Sequence, residues 1–243
     1  MFSVPSAMTA MLKRLLSQRN SSMYSADEVF SEENKKRTVE QFSSMKPIRM
    51  TSQEPRDKAA VLIPLCEVDG KVSLLYTLRA ANLKSHRGQV SFPGGKKDDD
   101  DDTLKDAALR ETEEELGIQS DNIDVWATGS SIISKRKMTV LPVIGRILNE
   151  IKISELNVNY SEVEEVFAVS LEDLCNPAYL RYTQFRSGAS LPVFLGGKRR
   201  IWGLTGLITN RCLLSLLPPQ AYSHKIKFIP HVKSNIKPSA AYD

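Results

Sequence analysis

Hydrophobic and polar positions change period several times along this 243-residue chain, and each change marks an element. Met8, Met11, Leu12, Leu15 and Leu16 recur at helical spacing with Lys13 and Arg14 off that stripe, predicting a basic amphipathic helix. From Asp27 to Ser43 the chain is polar and helix-compatible, with Val29, Phe30, Val39 and Phe42 as apolar positions. Lys46 to Arg56 carries two prolines and little periodicity and reads as a connector. Ala59 to Cys66 and Lys71 to Arg79 are apolar runs of strand length on either side of Asp69-Gly70, which predicts a hairpin. Ala80 to Ser91 then leads the chain into the turn Phe92-Pro93-Gly94-Gly95.

Beyond five consecutive aspartates, Asp98 to Asp102, the period becomes helical again. Thr103 and Asp106 form the two ends of a capping box, Leu109, Thr112 and Leu116 lie on a stripe that can pack inward, and Gly117 closes the helix. Ile123 to Thr128 and Met138 to Leu148 read as strands, with Ser130 to Lys137 as the turn between them. Ser161 to Leu174 mixes a glutamate cluster with apolar residues and precedes a helix. Ile201 to Leu217 is an apolar helical run stopped by Pro218-Pro219.

Composition narrows the class. A hydrophobic fraction of 41% with 26% charged residues is ordinary for a globular protein, and no apolar run is long enough for a membrane span. Cys66, Cys175 and Cys212 are widely spaced and set among apolar residues, as expected for buried thiols in a reducing compartment and not for a disulfide framework or zinc site. The net charge of +4 conceals a strong segregation: residues 98–124 hold twelve acids against two bases, and from Lys198 onward eight bases accompany one acid. The C-terminal bases lack interleaved aromatics, so no nucleic-acid partner is expected. Residues 1–26 contain no acid, three bases and six serines. With the amphipathic stripe, this resembles a mitochondrial transit peptide; the competing reading is an ordinary N-terminal helix.

The chemistry lies on the helix after the aspartates. With Glu111 as origin, Glu115 falls near about +40° and Glu114 near about −60°, so the three carboxylates share one face. Clustered acids need protons or a cation to offset their repulsion, and oxygen-only donors suit Mg²⁺ or Mn²⁺. A solvated charged face is the competing reading. Arg110 projects about 100° away from Glu111, and an ion pair with a helix glutamate is its expected role.

Arg110 to Ile118, RETEEELGI, after the Gly94-Gly95 lead-in, resembles the Nudix hydrolase signature. Asp102 stands where that signature has a glutamate eight residues before the arginine, and one residue more than usual separates Gly95 from Arg110. Leu75 to Gly95 is similar to a second motif, found upstream in Nudix hydrolases that act on coenzyme A. Leu75, Thr77, Arg79, Ala80, Gly88 and Phe92-Pro93-Gly94-Gly95 align, with Tyr76 and Lys84 as departures.

The resemblance implies an α/β protein, the Nudix α/β/α sandwich with a mixed sheet between helices, spanning residues 57–219. Residues 27–56 would be a helical lead-in and connector, 220–243 a basic tail, and Trp202, in the stretch IWGLT that is similar to the usual finish of the coenzyme A subset, would lie in the core. It implies metal-dependent hydrolysis of coenzyme A or acyl-coenzyme A to 3′,5′-ADP and (acyl-)4′-phosphopantetheine. Glu111, Glu114 and Glu115 would bind Mg²⁺ or Mn²⁺ and act in catalysis. Substrate would be bound by Arg79, Lys84, Gly88, Phe92, Gly94 and Gly95, with Glu162 or Glu165 as an additional acid. The alternatives are a Nudix pyrophosphatase of another nucleoside diphosphate derivative, such as ADP-ribose or a dinucleotide, and a non-catalytic Nudix-shaped module that binds a nucleotide or RNA; the intact glutamates argue against the latter. A mitochondrial location is expected, with cytosol or peroxisome as alternatives, and a homodimer is left open.

Overall fold

The computed structural model describes residues 23–81, 88–134, 137–184 and 190–224. The basic amphipathic stripe, Lys84, Arg87 and most of the C-terminal basic segment lie outside these residues. The polar helical segment is two helices, α1 (Ala26–Val29) and α2 (Glu32–Ser44). The break between them is set by Ser31, whose hydroxyl accepts from the Asn34 N–H and starts the second helix.

Among the described residues, nine strands form one mixed sheet. In chain order they are β1 (Ile48–Arg49), β2 (Asp57–Val68), β3 (Lys71–Arg79), β4 (Val90–Ser91), β5 (Gly94–Lys96), β6 (Ile123–Thr128), β7 (Ile132–Ile133), β8 (Met138–Ile147) and β9 (Val163–Ser170). The expected hairpin is present: Asp69 (φ 51°) and Gly70 (φ 68°) both adopt positive φ, the geometry that joins two twisted strands by two residues. The segment expected as a plain turn after Thr128 contains β7, which pairs with β8 and, in parallel, with β1. Ile132 is fully buried there, so burial overrides the turn-like composition around it.

β2 is the central strand. Along one edge it runs parallel to β8 from Asp57 to Leu65. Along the other it changes partner: β3 pairs with Leu65–Val68, and β5 with Ala59–Val61. Beyond Leu74 β3 continues alongside β4 and β9 instead, and the Phe92–Gly95 turn takes its place beside β2, with the Pro93 carbonyl accepting from the Leu62 N–H.

Helices cover both faces, which is why β2 and β3 read as near-continuous apolar runs. On one face α3 (Leu104–Leu116) packs Ala108 and Leu116 against Leu62, Leu75 and Val143. On the other, α2 and α5 (Gly203–Leu216) pack Phe42, Ile208 and Leu213 against Tyr76 and Phe167. The layering is the expected α/β/α sandwich with a mixed sheet.

A five-residue helix α4 (Leu171–Cys175) follows β9, and a separate two-stranded sheet, β10 (Leu180–Gln184) with β11 (Ser190–Phe194), precedes α5. Trp202 departs from expectation: it sits half-buried at the start of α5, with the Arg200 guanidinium 5.0 Å over its ring. The three thiols are buried as expected, and burial pushes each up to about 12, so none is a thiolate at neutral pH. No helix among the described residues is long and apolar enough to cross a membrane.

Candidate metal centre

The capping box at the start of α3 is complete: Thr103 Oγ1 accepts from the Asp106 N–H, and the Asp106 carboxylate accepts from the Thr103 N–H. At the other end Gly117 takes a left-handed φ of 70°, where its N–H bonds the Glu113 carbonyl. A side chain on Gly117 would also strike Asn157, 2.7 Å away, so the chain passes close beside the helix end. Asn159 then donates its N–H to the Glu115 carbonyl at 3.0 Å, and the Glu162 carbonyl accepts from Ala80. These bonds fix the loop carrying Glu162 over the C-terminal half of α3.

The result is a group of three carboxylates. Glu111, Glu115 and Glu162 each offer an oxygen within 4.8 Å of the others. Glu115 is almost wholly buried, and burial pushes its carboxyl up to about 7 against the opposing pull of Arg79 and the Gly94 N–H. Burial also raises Glu111, with Arg110 opposing. Three acidic oxygens crowded in a low-dielectric recess hold their charge poorly by themselves and fit a hard divalent cation, whose charge they would offset.

The glycine pair makes the recess possible. Gly94 has φ of 141°, and a Cβ there would lie 2.3 Å from the Ala60 carbonyl oxygen. A Cβ on Gly95 would lie 2.1 Å from Glu111 Oε1. The backbone therefore passes where no side chain fits, and the Gly94 N–H donates to Glu115 Oε2 at 3.3 Å.

Arg110 takes the structural part expected of it, more extensively than its sequence context shows. It meets Asp101 with two parallel bonds of 3.0 Å, Glu114 at 3.0 Å and the Lys96 carbonyl at 3.2 Å. Glu114 is exposed beside it and outside the three-carboxylate group. Asp101, also bonded by the Asp98 N–H, is the buried aspartate of the run; Asp102 is exposed. Its bonds to Arg110 hold the Asp101 carboxyl below the usual range. The aspartate that meets Arg110 is thus Asp101, one residue before the Asp102 that aligns with the signature glutamate.

The profile of the NUDIX domain matches residues 56–189, more than half of the chain. The chain belongs to the Nudix family. The mouse protein named mitochondrial coenzyme A diphosphatase NUDT8 is 44% identical over 165 residues, covering 66% of this chain and 78% of that protein. Its human namesake is 43% identical, covering 69% and 72%. Nudix hydrolase 3 of Caenorhabditis elegans is 34% identical, covering 76% and 83%.

Within this Nudix domain the remaining candidates separate by strand parity. Phe167 and Val169 face α5, whereas Val166 and Ala168 face α3. Glu165 shares the parity of Phe167 and is held away from the carboxylate group by Lys198 at 2.5 Å and Arg199 at 2.8 Å, which lower its pKa. Of the basic triplet at 198–200, two members are consumed by this clamp and the third covers Trp202. Phe92 is 2% exposed and stacks on Tyr76 with ring centroids 4.7 Å apart, so its side chain belongs to the core and anchors the turn. Gly88, at φ 64°, donates to the Arg79 carbonyl and closes the loop between β3 and β4.

Proposed function

We propose that this Nudix hydrolase cleaves the diphosphate bond of coenzyme A or an acyl-coenzyme A, giving 3′,5′-ADP and (acyl-)4′-phosphopantetheine. The observation that carries the reading is the junction at Gly94-Gly95: the turn that completes the coenzyme A-type motif from Leu75 is the same turn that admits Glu111 and bonds Glu115. The names of the mouse and human relatives support the same substrate.

Glu111, Glu115 and Glu162 would hold Mg²⁺ or Mn²⁺, with Glu114 joining them as the motif implies. Such an ion would neutralise the diphosphate and acidify a water molecule. The chain's own residues do the rest. The Gly94-Gly95 backbone leaves the space that Glu111 occupies and donates the Gly94 N–H to Glu115, Arg110 fixes the loop before α3 against the helix, and Glu111, raised by burial, is the candidate general base. A mitochondrial location is supported by the basic, acid-free residues 1–26 and by the names of the relatives.

The test is a product assay with Mg²⁺ or Mn²⁺ over coenzyme A, acyl-coenzyme A, ADP-ribose, NADH and nucleoside triphosphates. Release of 3′,5′-ADP, abolished in Glu115→Gln, is the expected result. Cleavage of ADP-ribose with coenzyme A untouched would replace the substrate and leave the metal chemistry standing.

A further inference from the structure

The coenzyme A-type motif meets the carboxylate group twice, at Arg79 and at Gly94. Arg79 closes β3, and alternation along that strand puts it on the α3 face with Leu75. Its Nη1 lies 3.4 Å from Glu115 Oε1, and the Gly94 N–H lies 3.3 Å from Oε2 of the same carboxylate. The Glu115 side chain is 2% exposed and that of Arg79 is 23% exposed. Among the described residues Arg79 is the only cation paired with Glu115. With one oxygen toward Arg79 and the other toward Gly94, the rotation of the carboxylate is fixed relative to Glu111 and Glu162.

We infer that Arg79 is a positioning residue, acting on the reaction through Glu115 and not by binding coenzyme A. This rests on the reading of Glu115 as a metal ligand. A carboxylate enclosed in the apolar layer beneath α3 has few ways to satisfy its oxygens, and removing the guanidinium lets it turn out of the ligand arrangement. Hydrogen-bonded partners of metal ligands carry this kind of weight generally: losing one costs about 10- to 100-fold in metal affinity or activity.

The test separates a positioning role from a substrate contact. Arg79→Met lowers kcat by about 10- to 100-fold. The loss is the same for coenzyme A and dephospho-coenzyme A, and KM stays within about twofold for both, because the substrate is not what Arg79 touches. Arg79→Lys, which keeps the charge and loses the planar fork, falls between the two, and carries the comparison if the Met variant unfolds on heating below assay temperature. The decisive measurement is calorimetric binding of coenzyme A to Glu115→Gln with and without Arg79→Met. Equal affinity supports the inference, since the two residues act in one chain of contacts; weakening of about fivefold or more makes Arg79 a substrate contact and overturns it. A Mn²⁺ titration followed by electron paramagnetic resonance isolates the underlying reading. If Glu115→Gln binds Mn²⁺ as the unmodified protein does, the metal assignment fails and the inference with it. If Glu115→Gln loses Mn²⁺ while Arg79→Met keeps full kcat, the inference alone fails.

Discussion

Gly95 passes so close to Glu111 that a methyl group in place of its hydrogen would lie 2.1 Å from one carboxylate oxygen and 2.2 Å from the carboxyl carbon. Its φ is not in the positive range, so the demand for glycine here is steric and comes from the functional side chain itself. The obstructed atoms are the free end of a flexible glutamate. Gly95→Ala should therefore fold, with Tm within a few degrees of the unmodified protein, while Glu111 is displaced by about an ångström and kcat falls on the order of 100-fold. Gly94→Ala meets backbone instead, at 2.3 Å from the Ala60 carbonyl oxygen, and requires φ of 141°. It should destabilise by about 1–3 kcal/mol in chemical denaturation.

Glu162 and Glu165 were indistinguishable in sequence, and the fold assigns them different surroundings. Glu162→Gln is expected to lower metal-dependent turnover by about 10-fold or more, with a matching loss of Mn²⁺ affinity. Glu165→Gln removes the acid between Lys198 and Arg199 and should leave Mn²⁺ affinity unchanged. Equal losses of Mn²⁺ affinity in the two variants would contradict this division.

What could be read from the sequence was whatever the chain decides locally. The capping box at Thr103, the hairpin at Asp69-Gly70 and the apolar stripe of α3 each depend on residues within a few positions of one another, and each is where the pattern put it. The carboxylate group was half legible: Glu111 and Glu115 share a helix face by periodicity, but Glu162 joins them only because Asn159 and Ala80 tie its loop down across the sheet. The parity of β9 was the one available signal against Glu165, and it needed the strand's boundaries and buried face to be known. The motif implies a substrate contact for Phe92, although an aromatic two residues before a Gly-Gly turn is equally suited to stacking on Tyr76. The choice of Asp101 over Asp102 depends on the path of the loop, to which a count of residues is blind.

That choice can be checked directly. Asp101→Asn weakens a two-pronged contact with Arg110 and should cost about 1.5–3 kcal/mol in urea unfolding, the range for a hydrogen bond to a charged group. Asp102 is exposed, and Asp102→Asn should stay within about 0.5 kcal/mol.

The pH dependence of the metal-free protein should carry the signature of Glu115. Its carboxyl is pushed up from an ordinary value of 4.5 to about 7 by burial. A raised carboxyl means that the folded state holds the proton more tightly than the unfolded state. The associated stability is therefore fully present below pH 4.5 and is lost as pH rises through about 7. In EDTA, the unmodified protein should lose on the order of 3 kcal/mol relative to Glu115→Gln between pH 4.5 and pH 7.5, with Glu115→Gln the flatter of the two. Mg²⁺ should offset the loss, and more so at higher pH, because the cation binds the ionised form. An identical pH slope in both proteins would place the Glu115 carboxyl in the ordinary range.

The N-terminal boundary gives the last expectation. A targeting segment ending at residue 26 would take with it Tyr24, whose hydroxyl donates to the Ala221 carbonyl at 2.9 Å, and Ser25, whose side chain caps α1. Ala221 and Tyr222 are themselves buried, and the Tyr222 hydroxyl bonds Asn210 of α5 at 2.8 Å. The two ends of the described chain thus close over each other, beyond the limits of 26 and 219 that composition suggests. Removing residues 1–26 should lower stability by about 1–2 kcal/mol through the lost cap and hydrogen bond. Tyr24→Phe in the full chain should reproduce about half of that loss, since it removes the bond and keeps the ring and the cap. Equal stability of the chain beginning at Asp27 and the full chain, by thermal or urea unfolding, would show that this closure contributes nothing. Any processed form isolated from cells should then be compared at the same boundary, because a mature chain that begins after Ser25 would lack both contacts.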